Sequence, residues 1–349
     1  MNIEVDYIIV GLGLAGISFA EILERNNKSF VVFEDNSQNS SIVAGGVYNP
    51  VILKRFTPVW NGHKQIELAK PFYKNIEEKL SIQLDYEFPT KKVFNSIGDE
   101  NNWFIASDKP MLAQYMLPKV LKGKIDGVVG DFGFGELKGT GRVDTTTLVK
   151  LYKAYLKKKN LLINESFQHS ELSFNGGKAI YKDVITNRVV FCEGFGIKNN
   201  PYFNELPLKE AKGETITIHA PELKIDFLLK SSVFVMPLGN DYYKVGATFN
   251  WEDKTSTPTK EGKKELEDKL KKVISVPYTV TNQLAGIRPT VKDRRPLVGV
   301  HLKYKELAIL NGLGTRGVMI GPSMATNLYN HLEKGENLDK EIDIKRFEK

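Results

Sequence analysis

The sequence predicts an α/β protein: a Rossmann-like dinucleotide-binding domain, discontinuous along the chain, with an inserted mixed β-sheet substrate domain. Three observations predict it. The chain opens as strand, glycine turn, helix, strand and acid, and it closes on a second strand, glycine turn and helix. Between them, much of 161–250 reads as strands.

Asp6-Tyr7-Ile8-Ile9-Val10 is an apolar run long enough for one buried parallel strand. Gly11-Leu12-Gly13-Leu14-Ala15-Gly16 follows at once. Gly11 allows the tight turn, Gly13 lets the backbone approach a pyrophosphate, and Gly16 lets the helix lie close to the sheet. That helix N-terminus offers unpaired N–H groups and roughly half a positive charge to an anion. Phe30-Val31-Val32-Phe33 is the second strand, and Glu34 ends it 18 residues after Gly16. A carboxylate there, with Asp35 beside it, accepts hydrogen bonds from a ribose and disfavours a cofactor with a 2′-phosphate.

Residues 36–46 are polar and glycine-ended, reading as a loop at the C-terminal end of a parallel strand, where α/β proteins place ligand contacts. Residues 64–80 have helical spacing, with Pro71 a kink. Asp108-Lys109-Pro110 opens an apolar helix start at Met111 to Leu117. Gly141-Arg142-Val143-Asp144 leads into a helix carrying Leu148, Leu151, Tyr152, Tyr155 and Leu156. Strands are expected at 161–163, 179–181, 189–191, 215–218, 233–236 and 243–246. Residues 260–274 read as a helix, 307–310 as a core strand, and about 318–332 as the terminal helix. If both strand–turn–helix units share one sheet, 1–60, 140–205 and 285–349 form the nucleotide domain. Residues 61–139 and 206–284 then form the substrate domain. The turn Gly312-Leu313-Gly314-Thr315-Arg316-Gly317-Val318 becomes a second helix N-terminus aimed at the cofactor. Such a dipole suits a reduced flavin, which carries an anion that a nicotinamide lacks.

At 349 residues, 41% hydrophobic and 26% charged, the composition is that of a soluble globular protein of two domains. No stretch reaches the roughly 20 apolar residues of a membrane span, the N-terminus does not read as a signal peptide, and the expected location is the cytoplasm. The single cysteine, Cys192, sits in an apolar run and excludes an internal disulfide. The five histidines lack metal-ligand spacing, so no metal is expected. The net charge of +7 is dispersed. Its densest groups, 157–159 and 260–272, read as solvated helix faces, a nucleic-acid surface being the other reading.

Four segments resemble the FAD-dependent D-amino acid oxidase / glycine oxidase family (the DAO-type flavoproteins), nearly end to end. They are Gly11 to Gly16 with Glu34, and the small-residue loop Ser40-Ser41-Ile42-Val43-Ala44-Gly45-Gly46-Val47. The third is Pro237 with Val245-Gly246-Ala247-Thr248, then Ala285-Gly286-Ile287-Arg288-Pro289-Thr290 and Asp293-Arg294-Arg295-Pro296-Leu297-Val298-Gly299. The fourth runs from Asn311 to Pro322. The resemblance implies FAD held by these segments and by Gly194, the loop 41–47 running under the isoalloxazine. It implies hydride transfer to flavin N5 from the carbon of a small carboxylated primary or secondary amine, imine hydrolysis, and reoxidation by oxygen. It assigns Arg288 to the substrate carboxylate; an internal ion pair is the other role open to that side chain. No general base is named, because a neutral amine requires none.

Two departures bear on the substrate. Phe234 stands where glycine oxidase-like relatives carry a substrate-holding tyrosine, and Cys192-Glu193-Gly194 replaces a common Ala-Thr-Gly. Met236 and Trp251 are either pocket wall or core. Gly45-Gly46-Val47-Tyr48-Asn49-Pro50, with Lys54 and Arg55, looks more like another branch. That branch is the oxidase domain of the bifunctional enzyme that matures the tRNA wobble uridine by removing a carboxymethyl group from an amine. Tyr48 is then a flavin-lining catalytic candidate or a packed loop tyrosine. Three functions stay open: an amine oxidoreductase, which is favoured; a tRNA-modifying flavoenzyme; and a non-catalytic flavin-binding protein. No membrane partner is expected, and oligomeric state is not legible.

Overall fold

In the computed structural model, which describes residues 3–348, the opening strand is Ile3–Val10. It runs parallel to Phe30–Phe33 on one side and to Val184–Phe191 on the other. A strand covered on both faces is apolar throughout, and Tyr7, Ile8 and Ile9 are fully buried. Leu162–Ile163 extends the sheet beyond Phe30–Phe33. The far edge of Val184–Phe191 is shared. Its first half pairs antiparallel with Lys178–Tyr181, which continues to Leu172–Asn175. Its second half pairs parallel with Leu307–Asn311, which in turn takes Leu297–Val300 antiparallel. The opening and closing strands therefore belong to one sheet.

Both strands feed helices that pack against each other, Leu14–Arg25 and Gly317–Lys334, with Gly62–Leu80 laid on the second. Phe19, Leu23, Ile76, Tyr152, Met319 and Leu328 are buried in the core they share. Pro71 lies inside Gly62–Leu80 and Pro322 inside Gly317–Lys334. A proline leaves the carbonyl four residues earlier without its helical donor. For Val318 O that donor is replaced by the Tyr73 hydroxyl at 3.0 Å.

A second, seven-stranded sheet runs in the order Thr279–Val291, Leu208–His219, Tyr242–Gly246, Phe234–Gly239, Leu228–Lys230, Thr90–Val93, Phe134–Leu137. Only Leu228–Lys230 and Thr90–Val93 pair in parallel. Helix Lys260–Leu270 covers one face, burying Leu266 and Leu270 against Ile216, Val235 and Val245. Its exposed side chains form the pairs Lys264–Asp268 and Lys269–Glu265, the second of them at the rim of the cavity described below.

Several elements differ from the sequence reading. The helix expected after Pro110 is a single turn, Pro110–Ala113, because the chain then bridges to the sheet at Met116 and Leu137. A helix at Ile97–Ser107 was not anticipated; the Ser96 hydroxyl caps it by accepting from Asp99 N at 3.2 Å. The loop 36–46 contains a helical turn, Ser40–Val43. Helix 260–274 ends at Leu270, where Ile274 bridges to Val128. No helix among the described residues is long and apolar enough to cross a membrane.

Candidate active site

A cavity of about 1440 Å³ is lined by residues of both sheets. Small-molecule pockets usually measure about 300–1,000 Å³, so this one has room for a dinucleotide and a second molecule.

One end is made of backbone. Gly11 leaves its strand at φ +92°, and a Cβ there would meet Cys192 O at 2.7 Å. Gly16 faces Gly11 O, which a Cβ would approach to 2.0 Å, so the helix seats on the turn only with glycine at this place. A Cβ on Gly13 would stand 2.9 Å from Ser41 Oγ, and that hydroxyl accepts from Leu14 N at 3.1 Å. The Glu34 carboxylate accepts from Leu12 N, from Asn36 N at 2.9 Å and from Lys153 Nζ at 3.1 Å. It therefore secures the glycine turn as well as facing the cavity. Burial would raise the Asp35 carboxyl, but hydrogen bonds from Ser166 and Ser37 outweigh it and hold the group below the usual carboxylate range.

The second helix start closes the same end. Gly312 and Gly314 adopt φ of +71° and +59°. Asn311 Nδ2 donates to Gly194 O at 2.9 Å. A Cβ on Gly317 would lie 2.8 Å from Leu14 Cδ1, so the two helix N-termini abut. Neither cap residue, Gly13 or Arg316, closes its helix with a side-chain hydrogen bond. Two open helix N-termini on one cavity wall suit the diphosphate of FAD and a second anionic locus on it. Glycines 45 and 46 continue the wall: a Cβ on Gly46 would meet Val143 O at 1.9 Å, and one on Gly45 would meet the Phe234 ring at 3.3 Å. Lys244 Nζ pins this loop, donating to Val43 O at 3.2 Å and Ala44 O at 3.0 Å; burial pushes its ammonium down to about 8.

The other end is made of side chains. The Arg288 guanidinium lies over the Phe249 ring at 4.1 Å. It donates to Lys212 O at 3.2 Å and Thr248 O at 3.1 Å. Gly213 leaves the space for it, since a Cβ there would fall 1.8 Å from Nη2. Burial lowers Arg288 to about 10, which leaves it charged at neutral pH. It forms no ion pair among the described residues, so the internal acid partner open to it in sequence is absent. Its remaining donors are available to a ligand carboxylate.

Gly11, Gly13, Leu14, Ala15, Glu34, Asp35, Ser41, Ala44, Gly45, Gly46, Val47, Gly194, Arg288, Gly314, Thr315, Arg316, Gly317 and Val318 all line this cavity. Gly16 and Gly312 stand behind the wall and shape it. Tyr48 is a correction: it lies outside the cavity, buried, with its hydroxyl donating to Asp85 at 2.8 Å. A buried phenol needs an acceptor, and Asp85 supplies it on the side of the Gly62–Leu80 helix, so the hydroxyl of Tyr48 is engaged away from the cavity wall. Of the pair after it, Lys54 lines the cavity and Arg55 does not. Met236 is buried core and Trp251 is exposed; neither is wall. Phe234 is wall, its ring against Gly45 and Gly246. Sequence reading missed Phe249, Lys92 and Lys230, which also line the cavity.

The family described as DAO, FAD dependent oxidoreductase, matches residues 6–328. The glycine oxidase of Bacillus subtilis (strain 168) is 22% identical over 372 residues, covering 93% of this chain and 91% of that protein. The tRNA 5-methylaminomethyl-2-thiouridine biosynthesis bifunctional protein MnmC of Idiomarina loihiensis is 25% identical over 128 residues, 35% of this chain and 21% of its own length. The crystal structure of glycine oxidase from Geobacillus kaustophilus superposes with a TM-score of 0.82 at 16% identity, covering 97% of each chain. The mixed α/β architecture above is the one that structure has.

Proposed function

The chain belongs to the DAO family of FAD-dependent oxidoreductases, and from that premise we propose that it oxidises the C–N bond of a small carboxylated primary or secondary amine, with oxygen as acceptor. Bound FAD supplies the two-electron acceptor. The observation that carries the substrate reading is Arg288: a desolvated guanidinium without a counter-ion, in the same cavity as the dinucleotide cradle. Its fork matches a carboxylate in two parallel hydrogen bonds. The Phe249 ring beneath it and the carbonyls of Lys212 and Thr248 fix its plane, so the ligand's orientation is set before it arrives. Phe234 and Phe249 supply apolar surface to the cavity wall beside Arg288.

Among the described lining residues the one histidine, His169, is engaged with Glu193 at 2.9 Å on the cradle side. No general base is assigned, since an amine that arrives neutral requires none. Residues 1–60, 140–205 and 285–349 would serve the cofactor, and 61–139 and 206–284 the substrate. Strand Thr279–Val291 belongs to both, since it carries Arg288 into the second sheet.

A second reading has one observation behind it, the partial likeness to the tRNA-biosynthesis protein. In that reading the amine is a modified nucleoside losing a carboxymethyl group, and Arg288 holds that carboxylate. The test is peroxide release by the holoprotein with glycine, N-alkylglycines, D-amino acids and carboxymethylated aminomethyl-uridines. Turnover of the glycines supports the first reading, turnover of the nucleosides alone supports the second, and turnover of neither contradicts both.

A further inference from the structure

Beyond Phe234 the cavity ends on lysines. Lys92 and Lys230 stand directly opposite each other on the parallel strands Thr90–Val93 and Leu228–Lys230, and both line the cavity. Like charges placed so repel. Lys92 is only 8% exposed, and its Nζ donates to Val93 O at 2.6 Å. Lys230 makes no side-chain hydrogen bond and no ion pair among the described residues; burial and its neighbours Lys92 and Lys269 push it down to about 8. Burial lowers Lys92 too, against the pull of Asp99.

The other charged groups of this end are already engaged. Lys269 pairs with Glu265 at 2.5 Å. Asp99 accepts from Asn95 N and Nδ2 at 3.0 and 3.1 Å. Lys54 adds a further cation to the wall. Cations are thus in excess, and Lys92 and Lys230 form no ion pair among the described residues.

Their position relates them to the substrate. Lys230 is in register with Phe234, and Phe234 with Gly246. Strands lie about 4.8 Å apart, so the lysine pair begins one to two strand spacings beyond Phe234. It lies on the side opposite the strand that carries Arg288.

We propose that Lys92 and Lys230 form a second anion subsite, so that the preferred amine carries an oxyanion at each end: a carboxylate for Arg288 and a carboxylate or phosphate for the lysine pair. The identity of the ligand as a substrate rests on the amine-oxidation reading, whereas anion binding at the pair does not.

The test uses the FAD-loaded protein. N-(carboxyalkyl)glycines, N-(phosphonoalkyl)glycines and N-alkylglycines of equal chain length are compared as substrates. An anionic tail should lower KM by about tenfold or more relative to the neutral tail, with kcat little changed. The better of the carboxylate and phosphonate series identifies the oxyanion. Lys230→Gln or Lys92→Gln should collapse that preference to less than about threefold, and Lys230→Arg should retain most of it. Equal KM for charged and neutral tails in the unaltered protein overturns the proposal, whether or not the variants fold. If no amine is oxidised, the function proposal fails and calorimetric titration with inorganic phosphate and glutarate decides the subsite alone. Binding that Lys230→Gln abolishes and Lys230→Arg keeps supports it; binding that the unaltered protein lacks, or that Lys230→Gln leaves intact, overturns it.

Discussion

The two ends of the cavity recognise by different means. The cradle end is built of backbone: glycine turns at 11–16 and 312–317 and two abutting helix starts. The substrate end is built of side chains: Lys92, Lys230, Phe234 and Arg288 project from strands that are distant in sequence, and Phe249 from the segment that follows Tyr242–Gly246. Backbone donors are indifferent to side-chain identity but intolerant of an added Cβ, so the cradle is rigid in sequence. Side chains on a sheet face can be exchanged one at a time without disturbing the ladder, so the substrate end is where specificity can change while FAD stays.

That contrast makes its sharpest prediction at Gly16. A Cβ there falls 2.0 Å from Gly11 O, so Gly16→Val should yield protein without flavin, and with a melting transition lowered by many degrees. The measurement is flavin released on denaturation together with calorimetry; full FAD occupancy would show that the turn can yield. At the other end Arg288→Ala should keep FAD bound yet raise KM for a carboxylated amine by about 30-fold or more, a loss of 2 kcal/mol or greater for a desolvated charge pair. Loss of flavin in that variant would mean the two ends are not separable.

The two ends also carry the two lysines lowered furthest, Lys244 beneath the cofactor loop and Lys230 in the substrate half, each pushed from 10.5 to about 8, chiefly by burial. Below pH 8 both are protonated, folded or unfolded, and the cost of burying charge is fully present. Between pH 8 and 10 the unfolded chain binds more protons than the folded one, so stability rises with pH. Tyr73 and Tyr152, whose hydroxyls burial pushes up, reverse the trend above that window. Thermal unfolding from pH 7 to 10 should show an increase of a few degrees, and Lys230→Met should remove about half of it. A flat profile would mean that both ammoniums are solvated. The smallest effect is expected at Phe234→Tyr. A hydroxyl added beside Gly45 and Gly246 should change KM for simple amino acids by about threefold, one extra hydrogen bond, without altering flavin content.

Legibility in the sequence followed the same division. Gly11, Gly13, Gly16, Glu34 and the closing turn could be read because a turn and its helix are local, and their spacing is the signal. Phe249 and Lys230 could not, because their meaning depends on which strand lies beside which, and register across 20 to 140 residues leaves no local mark. Lys92 was masked by Lys91, its neighbour on the opposite face, which pairs with Glu136. Helix Ile97–Ser107 was missed although Ser96 and Asp99 form an ordinary cap. Its apolar side chains include exposed Ile97, Phe104 and Ile105, which blur the helical stripe. Tyr48 was misplaced because a tyrosine following a glycine loop has no local feature to say which side of the loop it faces; Asp85, remote in sequence, decides it.

The most direct measurement is anaerobic mixing of the flavin-loaded protein with an N-substituted glycine, followed by the visible flavin absorbance, for the unaltered chain and for Arg288→Ala. Rapid bleaching in the first, and bleaching of the second only at far higher amine concentration, is the result expected if one cavity unites FAD with a carboxylated amine. A flavin that a chemical reductant bleaches but no carboxylated amine does, or one that Arg288→Ala leaves equally responsive, would contradict it.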